Sequence, residues 1–142
     1  MKKIDWIIHL CTNDAKCDAC GKEEGGYHPD TCNAHTHGME KYQHMDFQLV
    51  LSLPAREIGR ILNTLGLRVQ AGERFHAGQL VSGIYADCDI RLDAYEETGR
   101  TVLRVIIPDR NNIFPEDERC LPVCRLQLMK TEELYRKDGW DV

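Results

Sequence analysis

The sequence predicts an α+β fold: an antiparallel or mixed sheet of four or five strands with helices on one face, preceded by an N-terminal Cys/His-rich metal-binding segment. Three observations carry this. Residues 46–53 alternate apolar and polar side chains, residues 55–65 repeat apolar positions at helical spacing, and residues 88–96 alternate again before a glycine-containing turn and the β-branched run 101–107. The chain of 142 residues fits one domain, with an N-terminal element over 1–34, a core over 35–128 and a C-terminal tail or helix over 129–142.

Ile4, Ile7, Ile8 and Leu10 suit a short helix or strand, followed by a turn or helix start at Thr12-Asn13-Asp14. Residues 17–34 are rich in Gly, Asp, Pro and Cys and bury little apolar surface. Such a segment needs something polar to tie it down, which is the physical case for a metal there. In 46–53 the residues Phe47, Leu49, Leu51 and Leu53 share one face of a strand. Pro54 ends that strand, and Ile58, Ile61, Leu62 and Leu65 then form the apolar stripe of a helix. Gly66 is the expected helix stop, with Leu67, Arg68 and Val69 leading into a loop. Residues 80–85 suit a strand weakened by Gly83, and 88–96 with 101–107 form a hairpin with Cys88, Ile90, Leu92 and Ala94 on one side. Pro108, Pro115 and Pro122 mark 108–125 as irregular, and a short helix follows with Thr131 as its N-cap.

The segment Cys17 to Gly38 holds three of the seven cysteines and three of the six histidines. Cys17-x2-Cys20 can grip one ion with both thiolates from a tight turn, and zinc takes about four ligands in a tetrahedron. The second pair comes from Cys32 with His35, or from His28 with Cys32, and His37 is a further candidate. The expected metal ligands are therefore Cys17, Cys20, His28, Cys32 and His35, holding a structural zinc, since closed sets rich in thiolate are structural. The segment Gly21 to Gly26 is a poor helix, which argues against a thioredoxin-type redox motif. Cys120-x3-Cys124 reads as two buried thiols, Cys88 as core, His44 and His76 as solvated, and Asp109 as a turn residue.

The formal net charge of −5, with Lys and Arg scattered, disfavours nucleic acid as a partner. No apolar run approaches the roughly 18 residues of a membrane span. The start MKKIDWIIHLC is broken by Asp5 and His9 and reads as mature, cytoplasmic protein, where cysteines serve as thiols or ligands. No nucleophile elbow, phosphate loop, HExxH or dinucleotide fingerprint is present, so no catalytic residue is assigned and a binding module is favoured over an enzyme.

The run His35-Thr36-His37-Gly38-Met39-Glu40-Lys41-Tyr42, the strand at 46–53 and the helical pair Leu62-Asn63 resemble the bacterial domain of unknown function 4262 family. Thr36, Gly38 and Met39 occupy the places of its tyrosine-threonine-x-glycine-leucine motif, and His35 stands where the tyrosine usually is. Gly72 to Phe75 and Pro108 to Pro115 are also similar to that family, over roughly residues 32–128. The same run is distantly similar to Suppressor of Fused-like domains, which implies a protein-binding, immunity-type module. The alternatives are a metal-dependent hydrolase using His35 and His37, or a redox or metal sensor using Cys17 and Cys20.

Overall fold

Alternation and helical periodicity come together in one mixed sheet. The computed structural model describes residues 3–12, 27–97 and 99–135. Six strands run β1 (Ile7–Cys11), β2 (Thr31–His37), β3 (Phe47–Leu51), β4 (Gln79–Val81), β5 (Ile90–Glu97) and β6 (Arg100–Ile106). Their order across the sheet is β1-β2-β3-β6-β5-β4. The β3–β6 pair is parallel and the other pairs are antiparallel.

One face of this sheet is apolar. Phe47 and Leu49 of β3, Leu103 and Val105 of β6, Leu92 of β5 and Ala34 of β2 are buried there. Helix α1 (Ala55–Gln70) lays Ile58, Ile61, Leu62, Leu65 and Val69 on that face. The helix runs past the stop expected at Gly66, and the reason is Trp6. A Cβ on Gly66 would stand 2.5 Å from Trp6 Cζ2. The indole crosses α1 at that point, and its Nε1–H donates to Asn63 Oδ1 at 2.9 Å. Gly66 therefore makes room for a ring and terminates nothing. Arg68, expected in a loop, sits in the last helical turn and donates to both carboxylate oxygens of Glu73.

The opposite face is polar, and it was not expected to carry cover. Gln48, Arg104, Asn33 and His35 are buried on it. The C-terminal segment lies over them through helices α2 (Pro122–Arg125) and α3 (Thr131–Leu134) and the 3-10 turn Leu126–Leu128 between them. Helical structure thus covers both faces, because the guanidinium of Arg104 needs acceptors and finds them in the carbonyls of Gln127 and Met129. Thr131 is the first residue of α3, with Lys130 at the N-cap, and its hydroxyl accepts from Gln48 and Arg104.

The hairpin of β5 and β6 forms as expected, with Glu97 paired to Arg100 and Gly99 at φ +84° in its turn. β1 resolves the first segment as a strand. β2 falls in a stretch whose residues up to 34 were read as irregular.

Two glycines of α1 give opposite expectations. Gly66→Ala forces the Trp6 ring to move and should destabilise the protein by about 1–3 kcal/mol. Gly59→Ala meets nothing within 4 Å and should stabilise it by about 0.5–1 kcal/mol. Denaturant unfolding of the two variants checks the pair, and equal effects would contradict the Trp6 contact.

Candidate metal centre

Antiparallel register builds the site. β1 and β2 pair His9 with His35 and Ile7 with His37. Directly opposed residues share a face, and so do residues two apart on one strand. His9, His35 and His37 therefore gather on the polar face, away from α1. Their ring centroids are 5.4 Å apart for His9–His35, 4.5 Å for His9–His37 and 5.0 Å for His35–His37. One ligand atom from each lies within 4.8 Å of the other two. This cluster can hold a metal ion. Zinc–nitrogen bonds of about 2.0–2.1 Å in a tetrahedron put donors roughly 3.4 Å apart, so small side-chain rotations close the set.

Two of these rings carry an unsatisfied nitrogen. His9 Nδ1 and His37 Nε2 are buried and have no hydrogen-bond partner among the described residues. A buried polar atom without a partner costs about 1–3 kcal/mol, so a ligand that both nitrogens could bind would offset that cost. His35 is held differently. Its Nδ1 lies 3.2 Å from Asn33 Oδ1 and 3.9 Å from Glu97 Oε1.

Arg100 supports this corner from the neighbouring hairpin. It donates to Glu97 Oε2 at 2.8 Å, to Asp46 Oδ2 at 2.8 Å and to the Thr36 carbonyl at 3.0 Å. Asp46 in turn accepts from the Thr36 hydroxyl at 2.7 Å and the Met39 N–H at 3.1 Å. Thr36 and Met39 are thus tied to the turn after β2, where Gly38 at φ +127° passes close to Trp6.

Burial pushes the His35 pKa down to about 4, with Glu97 opposing and His37, Arg100 and His9 adding to the fall. His37 is lowered as well, by burial first and then by Arg100 and His9, against Asp46 and Glu97. Both rings are therefore neutral at pH 7, the form that binds a metal.

Of the five residues expected from spacing, three fall within the described residues: His28, Cys32 and His35. Cys17 and Cys20 lie outside the described residues. Cys32 is next to this site in sequence but points into the apolar face, with Sγ 3.3 Å from the Leu51 carbonyl. Burial pushes its thiol up to about 12, so it stays protonated. His28 is half-buried before β2, and its Nδ1 accepts the Asp30 N–H at 3.2 Å. Only His35 of the expected set joins the three-imidazole cluster among the described residues. His37, named as an alternative, joins it too. His9 was missed. Residues 7–11 alternate poorly, so nothing along the chain marked the face of His9, and only the pairing of β1 with β2 places it.

The weaker candidates have structural roles. Cys120 is buried with Sγ 3.4 Å from the Ile113 carbonyl, and burial pushes its pKa up to about 11. Cys124 is half-buried and also raised by burial. Cys88 precedes β5, half-buried, at a cleft of about 220 Å³ lined by Tyr85, Asp87, Pro108 and Asp109. Asp109 accepts backbone N–H bonds from Asn111, Ile113 and Leu121 and so holds its loop. His44 is not solvated: it lies 2.7 Å from the Met45 carbonyl through Nδ1 and accepts the Phe75 N–H through Nε2. Among the described residues no helix is long and apolar enough to cross a membrane. No family model, no curated protein and no solved structure matches this chain.

The depressed pKa values fix a pH dependence. The folded pKa of His35, about 4, lies below its ordinary 6.5, so the unfolded chain takes up the proton first. Stability is complete above about pH 6.5 and falls as pH drops toward 4, with His37 contributing in the same direction. The thermal midpoint of metal-free protein should decline between pH 7 and 4.5, and His35→Gln should flatten the decline. A flat wild-type profile in that window would contradict this assignment.

Proposed function

We propose that this protein is a zinc-binding domain in which His9, His35 and His37 hold one ion, and that it acts as a protein-binding module. The observation that carries the metal reading is the pair of buried, unpartnered nitrogens, His9 Nδ1 and His37 Nε2, beside His35. An ion satisfies both at once. Imidazole suits zinc, and a tetrahedral site accepts three such ligands with one position left. Here the ion ties the edge strand β1 to β2.

A binding role fits the site better than hydrolysis. General-base catalysis needs a free carboxylate or imidazole at the metal. Glu97 and Asp46 flank the cluster, and Arg100 engages both. Beside the site, Ile7 of β1, paired with His37, is 61% exposed and offers an apolar contact to a partner. The resemblance to Suppressor of Fused-like domains implies the same role. The hydrolase reading on His35 and His37 keeps one point of support, the open fourth position.

Elemental analysis of purified protein should find about one zinc per chain. The His9→Ala/His37→Ala double variant should lose it, and Cys17→Ser/Cys20→Ser should keep it. The reverse pattern would overturn the three-histidine site and return the ion to the cysteines. Zinc-dependent turnover of a simple ester, lost in His35→Ala, would favour the hydrolase.

A further inference from the structure

A histidine binds metal through one nitrogen, and what holds the other nitrogen decides which. For His35 that decision can be traced through two side chains to a group with no choice. Arg104 is 3% exposed, and a guanidinium has only donors. Its Nε–H donates to Gln48 at 2.8 Å, so the Gln48 atom facing it must be the carbonyl Oε1. That leaves the Gln48 amide NH2 facing the other way, toward Asn33 at 3.1 Å, the Thr131 hydroxyl at 3.2 Å and Glu97 Oε1 at 3.3 Å. An Asn33 NH2 there would set donor against donor, so the Asn33 atom facing Gln48 is the acceptor Oδ1. The same Oδ1 stands 3.2 Å from His35 Nδ1. An acceptor needs a donor, so His35 Nδ1 carries the proton. Glu97 Oε1 stands 3.9 Å from the same nitrogen, beyond hydrogen-bond reach, so Asn33 is the partner that sets the tautomer.

We propose that Arg104, acting through Gln48 and Asn33, fixes His35 as the Nδ1–H tautomer and thereby presents Nε2 as its metal-binding atom. Arg104, Gln48 and Asn33 are positioning residues, and none of them touches the ion. The metal part of this inference rests on the three-histidine reading, whereas the tautomer is a property of the metal-free protein. The relay also accounts for a buried polar row under the C-terminal segment. Arg104 is held in turn by the carbonyls of Gln127 and Met129 and by the Thr131 hydroxyl, and its guanidinium carbon stands 3.8 Å from the centre of the Tyr95 ring. The cover of the polar face therefore orients the first donor of the chain.

Two substitutions push the tautomer in opposite directions. Gln48→Glu still accepts from Arg104 but has nothing to donate to Asn33. The Asn33 amide then turns its NH2 outward, and His35 must offer a lone pair at Nδ1. Asn33→Asp accepts from both Gln48 and His35 and keeps the proton on Nδ1. The test is long-range proton–nitrogen correlation NMR of the imidazole rings in metal-free protein at pH 7, with His35 assigned by His35→Gln, followed by zinc titration. Wild type and Asn33→Asp should show Nδ1–H. Gln48→Glu should show Nε2–H and bind zinc about tenfold to a hundredfold more weakly. An Nε2–H tautomer in the wild type, or an unchanged tautomer in folded Gln48→Glu, would overturn the relay. The wild-type spectrum decides without any variant, so failure of Gln48→Glu to fold leaves the proposal open to contradiction. An Nδ1–H tautomer in a protein that takes up no zinc would uphold the relay and contradict the metal reading.

Discussion

A single buried charge organises the polar half of this molecule. Arg104 lies in the middle of the sheet, and burial alone lowers its pKa. Removing a guanidinium from water is costly unless its donors are met. They are met by Gln48 of β3 and by the main chain and hydroxyl of residues 127–131. The requirement binds three elements that lie far apart in sequence: β3, β6 and the C-terminal segment. It also makes the second face of the sheet an ordered, buried, polar layer. Gln127 closes the layer by donating to the Ile107 carbonyl and accepting its N–H, both at 2.7 Å.

Such a layer changes what a histidine on it can do. In water an imidazole exchanges tautomers and partners freely. On this face His35 is desolvated, kept neutral and given one fixed hydrogen-bond acceptor. His9 and His37 sit beside it with nitrogens that the described protein does not satisfy. A polar face that meets its needs at Arg104, Gln48, Gln127 and Thr131 leaves two atoms unmet at one place. That contrast, more than the count of histidines, is what singles out the site. The apolar face supplies the rigidity, with Trp6 packed across α1 just before β1 begins.

The apolar half of this fold was legible in the sequence. Phe47, Leu49 and Leu51 alternate, and Ile58, Ile61, Leu62 and Leu65 recur with a helical period, because each element has one wet or polar side. β2 was hidden for the opposite reason. Its residues from Thr31 to Thr36 are all buried, so Cys32, Ala34 and Thr36 face one layer while Asn33, His35 and His37 face another, and neither reads as solvent. Gly66 misled because a helix-ending glycine and a glycine that admits a ring look alike in sequence. The candidate metal site was half legible. His35 and His37 show their shared face by spacing, but His9 joins them through pairing between β1 and β2, which spacing along the chain does not encode. Cys32 was drawn in by proximity in sequence, and the alternation of β2 sends it into the core.

Zinc K-edge X-ray absorption of the zinc-loaded protein tests the central claim most directly, because it reads the ligand atoms themselves. A three-histidine site predicts nitrogen scatterers at about 2.0–2.1 Å with the outer-shell pattern of imidazole and no sulfur. Sulfur scatterers at about 2.3 Å would contradict it and place the ion on cysteine thiolates instead.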